Sequence, residues 1–503
     1  MLFNSLSYLI FLPAIALVYF LIPWQKVRNL LLLAGSYYFY MCWDPRFIVL
    51  MIGCTLITYL DALFIDVSRR EEKEGVPPEK RRTGRAKLYT AVTIVFTLAI
   101  VAWFKYANFL TESLVGLLGL VGIQLQIPRL NIALPVGISF FTFQSLSYVI
   151  DVYRGKTACE RNILRYALFV SFFPQLVAGP IERSSNLLVQ FREKHRFSAE
   201  QAKHGAMLVL WGFFMKIVVA DRVAIVVDQI YNYYASYEGV IPILGTILFA
   251  VQIYCDFNGY TTIAIGSAQL MGFHLMKNFE QPYLATSVAD FWRRWHISLT
   301  SWFRDYIYFP LGGSRCAPWK RYRNIMIVFL VSGLWHGAAW TYIIWGGLNG
   351  ALQIVGAWLK PFREKVLKKL RVSTGSLGHR LVQILITFVL VDITWVFFRA
   401  KDIPSALHII QSSFTVWNPW VLVDGTLYTL GLEQADFWLM MLSILILAAV
   451  DVLHARGKAI WQTVSGWPLP VRWVLIYGLI FWILIFGVYG PAFDATSFIY
   501  FQF

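Results

Sequence analysis

The feature that most constrains this chain is a series of apolar runs, each approaching the length that crosses a lipid bilayer. A transmembrane helix needs about 20 mostly apolar residues. Runs close to this length occur at 6–22, 30–43, 47–65, 88–104, 205–230, 240–255, 325–345, 381–399, 436–453 and 472–490. The pattern predicts an all-α polytopic membrane protein.

The composition supports this prediction and argues against several other classes of protein. Only 14% of the 503 residues are charged, against about 25% in typical soluble domains, and 58% are apolar. So few charges cannot cover the surface of a soluble fold, and the apolar content is too high for a disordered chain. The long continuous apolar runs also argue against an outer-membrane β-barrel, whose strands alternate polar and apolar residues.

The basic residues are concentrated in short segments between the apolar runs. The chain has 44 Lys and Arg against 28 Asp and Glu, a net charge of +16. Because positively charged loops stay in the cytoplasm, Lys26, Arg28 and the loop 66–87 predict an extracytoplasmic N-terminus. The three apolar runs before that loop agree with this orientation, and 360–371 is a second basic cytoplasmic candidate. This placement of charge favours a membrane over nucleic acid as the partner.

Neither the spacing of the cysteines nor any common catalytic motif indicates a disulfide framework or a metal site. Five cysteines are scattered without a C-x-x-C pair: Cys42, Cys54, Cys159, Cys255 and Cys316. The sequence also contains no G-x-S-x-G nucleophile elbow, no Walker A motif and no H-E-x-x-H motif. We therefore expect no bound metal or cofactor.

Segment 286–310 is the first that carries candidate chemistry. Thr286 or Ser287 is a candidate helix cap, with Asp290 at the capping-box position after Ser287. The spacing predicts one amphipathic helix, with Trp292, His296, Leu299 and Phe303 on one face and Arg294, Ser298, Ser301 and Asp305 on another. Such a helix either anchors the protein at the membrane surface or places His296 beside a reactive centre. The residues alone leave both interpretations open.

His336 is the second candidate, because it lies in the middle of the apolar run 328–347. An ionisable residue within a membrane segment is costly and indicates a functional site, although a structural histidine bonded to a carbonyl is the alternative. Ser332, Gly333 and Gly337 surround it with small side chains. Small residues allow helices, or a substrate, to approach closely.

Between 106 and 200 the apolar segments are short and interrupted by motifs such as Pro135-Val136-Gly137 and Gly179-Pro180. Broken helices at membrane depth are tolerated where they are buried in protein or line a cavity. They often mark a substrate site, although ordinary turns between helices give the same pattern. The number of crossings in this region stays open.

Several blocks together resemble the membrane-bound O-acyltransferase family. They are PVGISFFTFQSLSYVIDVYRG at 135–155, FFPQLVAGPIER at 172–183, YCDFNGYTTIAIG at 254–266, FWRRWHISLTSWFRDYIYFPLGG at 291–313 and VSGLWHGAAWTYIIWGGLNG at 331–350. The segments WVFFRA at 395–400 and FIYFQF at 498–503 are similar to its bacterial branch for O-acetylation of alginate and peptidoglycan. A shorter branch, which transfers D-alanine to teichoic acids, shares the central motifs.

The resemblance implies a fold and a reaction. The fold is a ring of tilted membrane helices around a central tunnel, with broken and interfacial helices. The reaction passes an acyl group from a cytoplasmic thioester to a hydroxyl on the far side of the membrane. His336 matches the family's near-invariant histidine, and His296 matches the upstream polar position; both are the catalytic candidates.

The same resemblance implies acetyl-CoA as the acyl donor. A histidine suits the removal of a hydroxyl proton near neutral pH, and a second polar group can orient the donor or stabilise an oxyanion. Basic side chains in the segment 286–310, which carries His296, are candidates to bind the phosphates of acetyl-CoA. The candidate substrate-binding residues are Trp292, Arg293, Arg294, Arg304, Ser332 and Trp335.

We therefore expect a single membrane acyltransferase domain over 1–503, with N-terminal helices at 1–105, a catalytic core at 106–355 and C-terminal helices at 356–503. The expected location is a bacterial cytoplasmic membrane. The expected function is O-acetylation of an exported polysaccharide together with an extracytoplasmic acetyltransferase partner. The alternatives are D-alanyl transfer to teichoic acid, a transporter of a small anion or lipid-linked intermediate, and a scaffold that only recruits the partner.

Overall fold

A computed structural model describes residues 1–70, 84–177, 179–458, 460–489 and 499 of the chain. These residues form helices and connecting segments, with no strand among them. The predicted all-α architecture is therefore confirmed. Most of the basic loop predicted at 66–87 and all but one residue of the block 498–503 lie outside the described residues.

The chain forms two compact units, the first comprising 1–209 with 261–276, and the second 210–260 with 277–503. The first unit contains α1 Leu6–Leu21, α2 Gln25–Met41, α3 Ile48–Arg70, α4 Gly84–Leu120, α5 Ile138–Arg154, α6 Ile163–Ser171, α7 Phe173–Leu176 and most of α8 Ala199–Phe213. The second contains α9 Asp221–Asn232, most of α10 Val240–Leu270, α11 Val288–Arg294, α12 Ile297–Phe303, α13 Pro318–His336, α14 Trp340–Lys369, α15 Leu377–Arg399, α16 Ile403–Thr415, α17 Gln434–Ala455, α18 Ile460–Ser465 and α19 Leu469–Phe486.

Six of these helices are long and apolar enough to cross a membrane: α3 with its preceding turn, α4, α10, α15, α17 and α19. Each corresponds to one of the apolar runs in the sequence, whereas α1 is apolar but shorter. The run at 325–345 does not form one helix, because it is divided between the end of α13 and the start of α14. The chain turns back on itself between these two helices.

In the first unit, hydroxyl side chains on apolar helices are satisfied within the protein. Thr55 and Thr58 on α3 each donate their hydroxyl to the carbonyl oxygen four residues earlier, and the oxygen–oxygen distance is 2.7 Å in both bonds. Tyr166 on α6 donates its hydroxyl to Thr58 Oγ1 over 2.8 Å, which ties α6 to α3. Such bonds matter because lipid offers no water to unpaired polar groups.

The region predicted to be interrupted, 106–200, contains the end of α4, the 17-residue α5, the short helices α6 and α7 and a π-helix at Ser184–Leu188. Gly137, immediately before α5, has φ 72°. A Cβ at this position would lie 2.7 Å from the Leu176 carbonyl oxygen, so only glycine fits. The break before α5 is thus built by the close approach of two backbone segments.

Candidate active site

The hairpin of α13 and α14 positions His336 at its turn. A Cβ added to Gly333 would lie 2.3 Å from the Tyr342 carbonyl oxygen, and a Cβ added to Gly346 would lie 2.3 Å from that of Phe329. Two glycines on facing helices thus let the backbones touch, as small residues do in membrane helix pairs. His336 ends α13, and Gly337 follows with extended backbone. The small residues around His336 therefore serve helix packing.

The protonation of the His336 ring follows from one hydrogen bond. Its Nδ1 lies 2.7 Å from the carbonyl oxygen of Ser332. Because a carbonyl only accepts hydrogen bonds, Nδ1 must carry the proton, and in the neutral ring Nε2 is then the basic nitrogen. The bond that satisfies the ring on one side thus prepares the other side to accept a proton.

Aromatic rings enclose His336, whose side chain is 3% exposed. The ring centroids of Trp345, Trp335 and Phe398 lie 4.8, 4.9 and 5.6 Å from that of His336, each at a steep angle. Trp335 was predicted to bind substrate, and the structure places it beside both candidate histidines, with its ring centroid also 5.8 Å from that of His296. The surroundings exclude bulk water from the imidazole.

The predicted single helix over 286–310 is wrong, because the chain breaks at His296. Helix α11 ends at Arg294, and α12 begins at Ile297. His296 has φ 45° and ψ 54°, a left-handed conformation that is uncommon for any residue other than glycine. Of the two predicted caps, Ser287 is the one that forms, since its Oγ lies 3.1 Å from the Asp290 nitrogen and accepts from that N–H. Trp292, His296, Leu299 and Phe303 are all buried, but Ser298, which the spacing placed on another face, is buried as well.

Asn278 holds the turn at His296 through backbone and side chain. The Ile297 N–H donates to the Asn278 carbonyl oxygen over 2.9 Å. Asn278 Oδ1 accepts from the N–H and the hydroxyl of Ser298, over 3.2 and 2.9 Å. Glu280 N–H donates in turn to the Arg294 carbonyl oxygen over 2.9 Å. The segment 278–280 therefore fixes a backbone conformation that local helix propensity opposes.

This break brings the two histidines together. The ring centroids of His296 and His336 lie 6.4 Å apart, and a perpendicular Phe257 ring packs 4.6 Å from His296. His296 lies outside the six candidate membrane spans. Its burial, and to a smaller extent the nearby His336 ring, lowers its pKa well below the ordinary value for histidine. We infer that His296 is neutral near pH 7, which suits hydrogen bonding better than charge stabilisation.

A cavity of about 280 Å³ is lined by residues of α11, α12, α13 and α14 and of the segment between α12 and α13, among them three arginines. Its exposed lining includes Arg293, Arg304 and Arg321, and its buried lining includes Trp292, Leu299, Phe303, Phe329 and Ser332. Ser332 supplies the carbonyl that holds His336 Nδ1. The cavity therefore has a positively charged rim and an apolar interior, and one residue of its lining, Ser332, is hydrogen-bonded to His336.

Four of the six predicted substrate-binding residues line this cavity: Trp292, Arg293, Arg304 and Ser332. Arg294 is not part of the lining; its Nε pairs with Asp290 Oδ2 over 3.2 Å. Sequence reasoning missed Arg321 and Phe329, which come from α13 and complete the rim and the interior. The basic cluster at 320–323 was the available signal for Arg321, but nothing in it distinguished a cavity residue from a lipid anchor.

Asn349 is another residue that the sequence analysis did not select. It is fully buried on α14. Its Oδ1 accepts from the Trp292 indole N–H over 3.1 Å, and its Nδ2 donates to the Trp345 carbonyl oxygen and Thr394 Oγ1 over 2.9 and 3.2 Å. An amide within an apolar helix was the signal that could have indicated it.

The geometry resembles no metal centre, since no group of three or more His, Cys, Asp or Glu side chains among the described residues is arranged to hold a metal ion. The pair of buried histidines instead offers one basic nitrogen and one neutral polar ring. This combination suits transfer of an acyl group to a hydroxyl, which needs a proton acceptor and a group that orients the reacting carbonyl.

Comparison with known proteins agrees with this chemistry. The model of the membrane-bound O-acyltransferase family matches residues 161–375, which contain both histidines and the whole cavity lining. A probable alginate O-acetylase of Azotobacter vinelandii is 36% identical over 93% of this chain and 87% of its own length. A peptidoglycan O-acetyltransferase of Helicobacter pylori is 31% identical over 82% of this chain and 79% of its own.

A more distant relative, the teichoic acid D-alanyltransferase of Bacillus subtilis, is 30% identical over 54% of this chain and 71% of its own length. The similarity to the acetyltransferases spans almost the whole chain, including the C-terminal helices beyond the family model. With its apolar helices long enough to span a membrane and its buried histidine pair, the chain belongs to the membrane-bound O-acyltransferase family and is a multi-pass membrane O-acyltransferase.

Proposed function

We propose that this protein takes an acetyl group from acetyl-CoA and passes it across the membrane for O-acetylation of an exported polysaccharide. The observation that carries the proposal is the cavity, whose lining combines three exposed arginines with Ser332, the residue whose carbonyl oxygen accepts from His336 Nδ1. The phosphates of the donor are anionic and bind at Arg293, Arg304 and Arg321. The thioester then enters the apolar interior, towards the histidines.

In the proposed reaction, His336 Nε2 takes the proton of an acceptor hydroxyl. The hydroxyl oxygen forms a bond to the acetyl carbonyl carbon, and the carbon–sulfur bond breaks. The thiolate leaves and receives the proton from His336, so the products are the acetyl ester and CoA thiol. His296 orients the carbonyl by hydrogen bonding, a role that does not require it to change charge.

The proposal includes a cytoplasmic rim of the cavity and an extracytoplasmic partner protein. The rim of the cavity shares its basic character with Lys320 and Arg323 at the start of α13. By the positive-inside rule these residues face the cytoplasm, where acetyl-CoA is available. The acceptor is a polysaccharide outside a bacterial cytoplasmic membrane, alginate-like or peptidoglycan, and an extracytoplasmic acetyltransferase completes its modification. The names of the relatives support both polymer classes.

The test is release of CoA thiol from acetyl-CoA by the purified full-length protein, with and without a hydroxyl acceptor. We expect Arg293→Gln, Arg304→Gln and Arg321→Gln each to raise KM for acetyl-CoA more than they lower kcat. Arg294→Gln is the matched control, because Arg294 lies in the same helix but outside the cavity lining. Equal effects of all four changes would contradict the assignment of the rim.

Two other functions give different results in the same assay. A D-alanyltransferase would leave acetyl-CoA intact and accept a D-alanyl thioester; its support is the teichoic acid relative, which matches only part of the chain. A transporter or scaffold would release no thiol from either donor. A scaffold would in addition keep full polymer acetylation in cells that carry His336→Ala.

A further inference from the structure

Two aromatic rings form a wall in the buried part of the cavity lining. They are those of Trp292 and Phe329, with ring centroids 5.3 Å apart at a steep angle. The ring centroid of Trp345 lies 5.6 Å from that of Trp292 and 4.8 Å from that of His336. An acyl group that enters past the exposed arginines therefore meets the Trp292 indole in the buried part of the cavity.

Trp292 cannot readily turn away from this position. Its indole N–H donates to Asn349 Oδ1 over 3.1 Å, and both residues are buried, Asn349 completely. Asn349 is held in turn, because its amide nitrogen donates to the Trp345 carbonyl oxygen and to Thr394 Oγ1. Swinging the indole aside would leave a buried amide oxygen without its donor, which is costly in an apolar environment.

We propose that Trp292, held by Asn349, sets the length of the acyl group that this enzyme transfers. The inference rests on the proposed function, since it assumes that an acyl thioester enters this cavity. Trp292 is the specificity-determining residue, and Asn349 is the positioning residue that keeps it in place. In this proposal a short acyl group is accommodated in front of the indole, whereas a longer one must displace a ring that the Asn349 hydrogen bond holds in place.

The experiment measures kcat/KM for thiol release from acetyl-, propionyl- and butyryl-CoA by the purified full-length protein. We expect the wild-type protein to prefer acetyl-CoA. Trp292→Leu should lower the ratio of acetyl to butyryl activity by about tenfold or more, because one methylene in an apolar pocket is worth about 10–200-fold in specificity. Asn349→Leu should lower the same ratio by a smaller factor while Trp292 is still present.

Trp302→Leu is the matched control. Trp302 is 6% exposed, lies on α12 and packs against Tyr306 at 4.9 Å, but it is not part of the cavity lining. Its replacement loosens the same region without opening the cavity, so the acetyl to butyryl ratio should not change. If Trp292→Leu does not accumulate in membranes, Trp292→Phe and Trp302→Phe give the same comparison with smaller changes in volume.

The outcomes separate the two proposals. No thiol release from any acyl-CoA by the wild-type protein would overturn the proposed function. Wild-type activity with an acetyl to butyryl ratio that is the same in the Trp292 and Trp302 variants would overturn the assignment of Trp292 alone. A lowered ratio in Trp292→Leu that Asn349→Leu does not share would support the wall and reject the positioning role of Asn349.

Discussion

A single carbonyl oxygen determines which nitrogen of His336 acts as a base. The Ser332 carbonyl accepts from Nδ1, so Nε2 carries the lone pair of the neutral ring. His296 differs in both backbone and environment: it occupies a left-handed position, and its burial favours the neutral form. The proposed reaction therefore gives the two histidines distinct tasks, one that moves a proton and one that orients the substrate.

We predict an asymmetry between substitutions of the two histidines. His336→Ala should lower acyl transfer by about 10²–10⁴-fold, the usual cost of losing a general base. His296→Asn should retain measurable activity, because asparagine tolerates left-handed backbone and keeps hydrogen-bonding groups. The measurement is acyl transfer by membranes that contain equal amounts of each variant. Equal and complete loss in both variants would contradict the asymmetry, and high activity in His336→Ala would reject it as the base.

Glu182, which lies outside the candidate spans, gives a prediction of pH dependence. Its carboxylate is fully buried and accepts from the Met276 N–H and from Asn186 Nδ2, over 2.5 and 2.7 Å. Burial raises the pKa of Glu182 to about 7. Between about pH 5 and 7 the folded state keeps a proton that the unfolded state has lost. The free energy of unfolding should therefore fall by about 1.4 kcal/mol per pH unit as the pH rises.

Glu182→Gln removes this titration. We expect the thermal midpoint of the wild-type protein to fall relative to that of Glu182→Gln as the pH rises from 5 to 7, when both are measured in the same detergent. Parallel midpoints for the two proteins over this range would show that Glu182 does not titrate there.

At the scale of elements, the α13–α14 hairpin depends on backbone contact at glycines. A Cβ at Gly346 would lie 2.3 Å from the Phe329 carbonyl oxygen, and the neighbouring Trp345 packs on His336. Gly346→Ala should separate the helices, destabilise the protein by about 1–3 kcal/mol and lower kcat/KM at least tenfold. Kinetics and thermal unfolding of the purified variants test this prediction.

Gly356→Ala is the control, because it lies on the same helix and its Cβ would meet no atom within 4 Å. Alanine also has the higher helix propensity, so this variant should match or slightly exceed the stability of the wild-type protein. An active and stable Gly346→Ala variant would mean that the hairpin tolerates a wider separation than its backbone contacts indicate.

At the scale of the whole molecule, the distribution of basic residues predicts the orientation in the membrane. Cys42 is exposed at the end of α2 and should be extracytoplasmic, whereas position 375, between α14 and α15, should be cytoplasmic. In a protein whose four other native cysteines are replaced by alanine, an impermeant thiol reagent should label Cys42 in intact cells. With Cys42 also replaced, Gly375→Cys should react only after the cells are opened.

Position 78, in the basic loop and outside the described residues, should behave like position 375. If the reagent labels Gly375→Cys or Pro78→Cys in intact cells and does not label Cys42, the protein has the opposite orientation in the membrane. It would also place the basic rim of the cavity on the side of the membrane opposite to the donor.

The sequence by itself determined the helical membrane architecture, the family and both histidines. Apolar length depends on bilayer thickness, and an imidazole in an apolar run is costly enough to be conspicuous. The burial of Trp292, Leu299 and Phe303 was also predictable, because large apolar side chains are mostly buried. None of these inferences requires knowledge of which distant residues meet.

Only the tertiary structure decided where helices break and which side chains share a cavity. The helix predicted through His296 is interrupted because Asn278, from a separate segment, supplies hydrogen bonds that outweigh local propensity. Arg293 and Arg294 are adjacent in sequence, yet only Arg293 joins Arg321 at the rim of the cavity. Asn349 on α14 accepts a hydrogen bond from Trp292 on α11, 57 residues earlier in the chain. Periodicity describes one helix at a time, whereas these features depend on contacts between segments that are far apart in the chain.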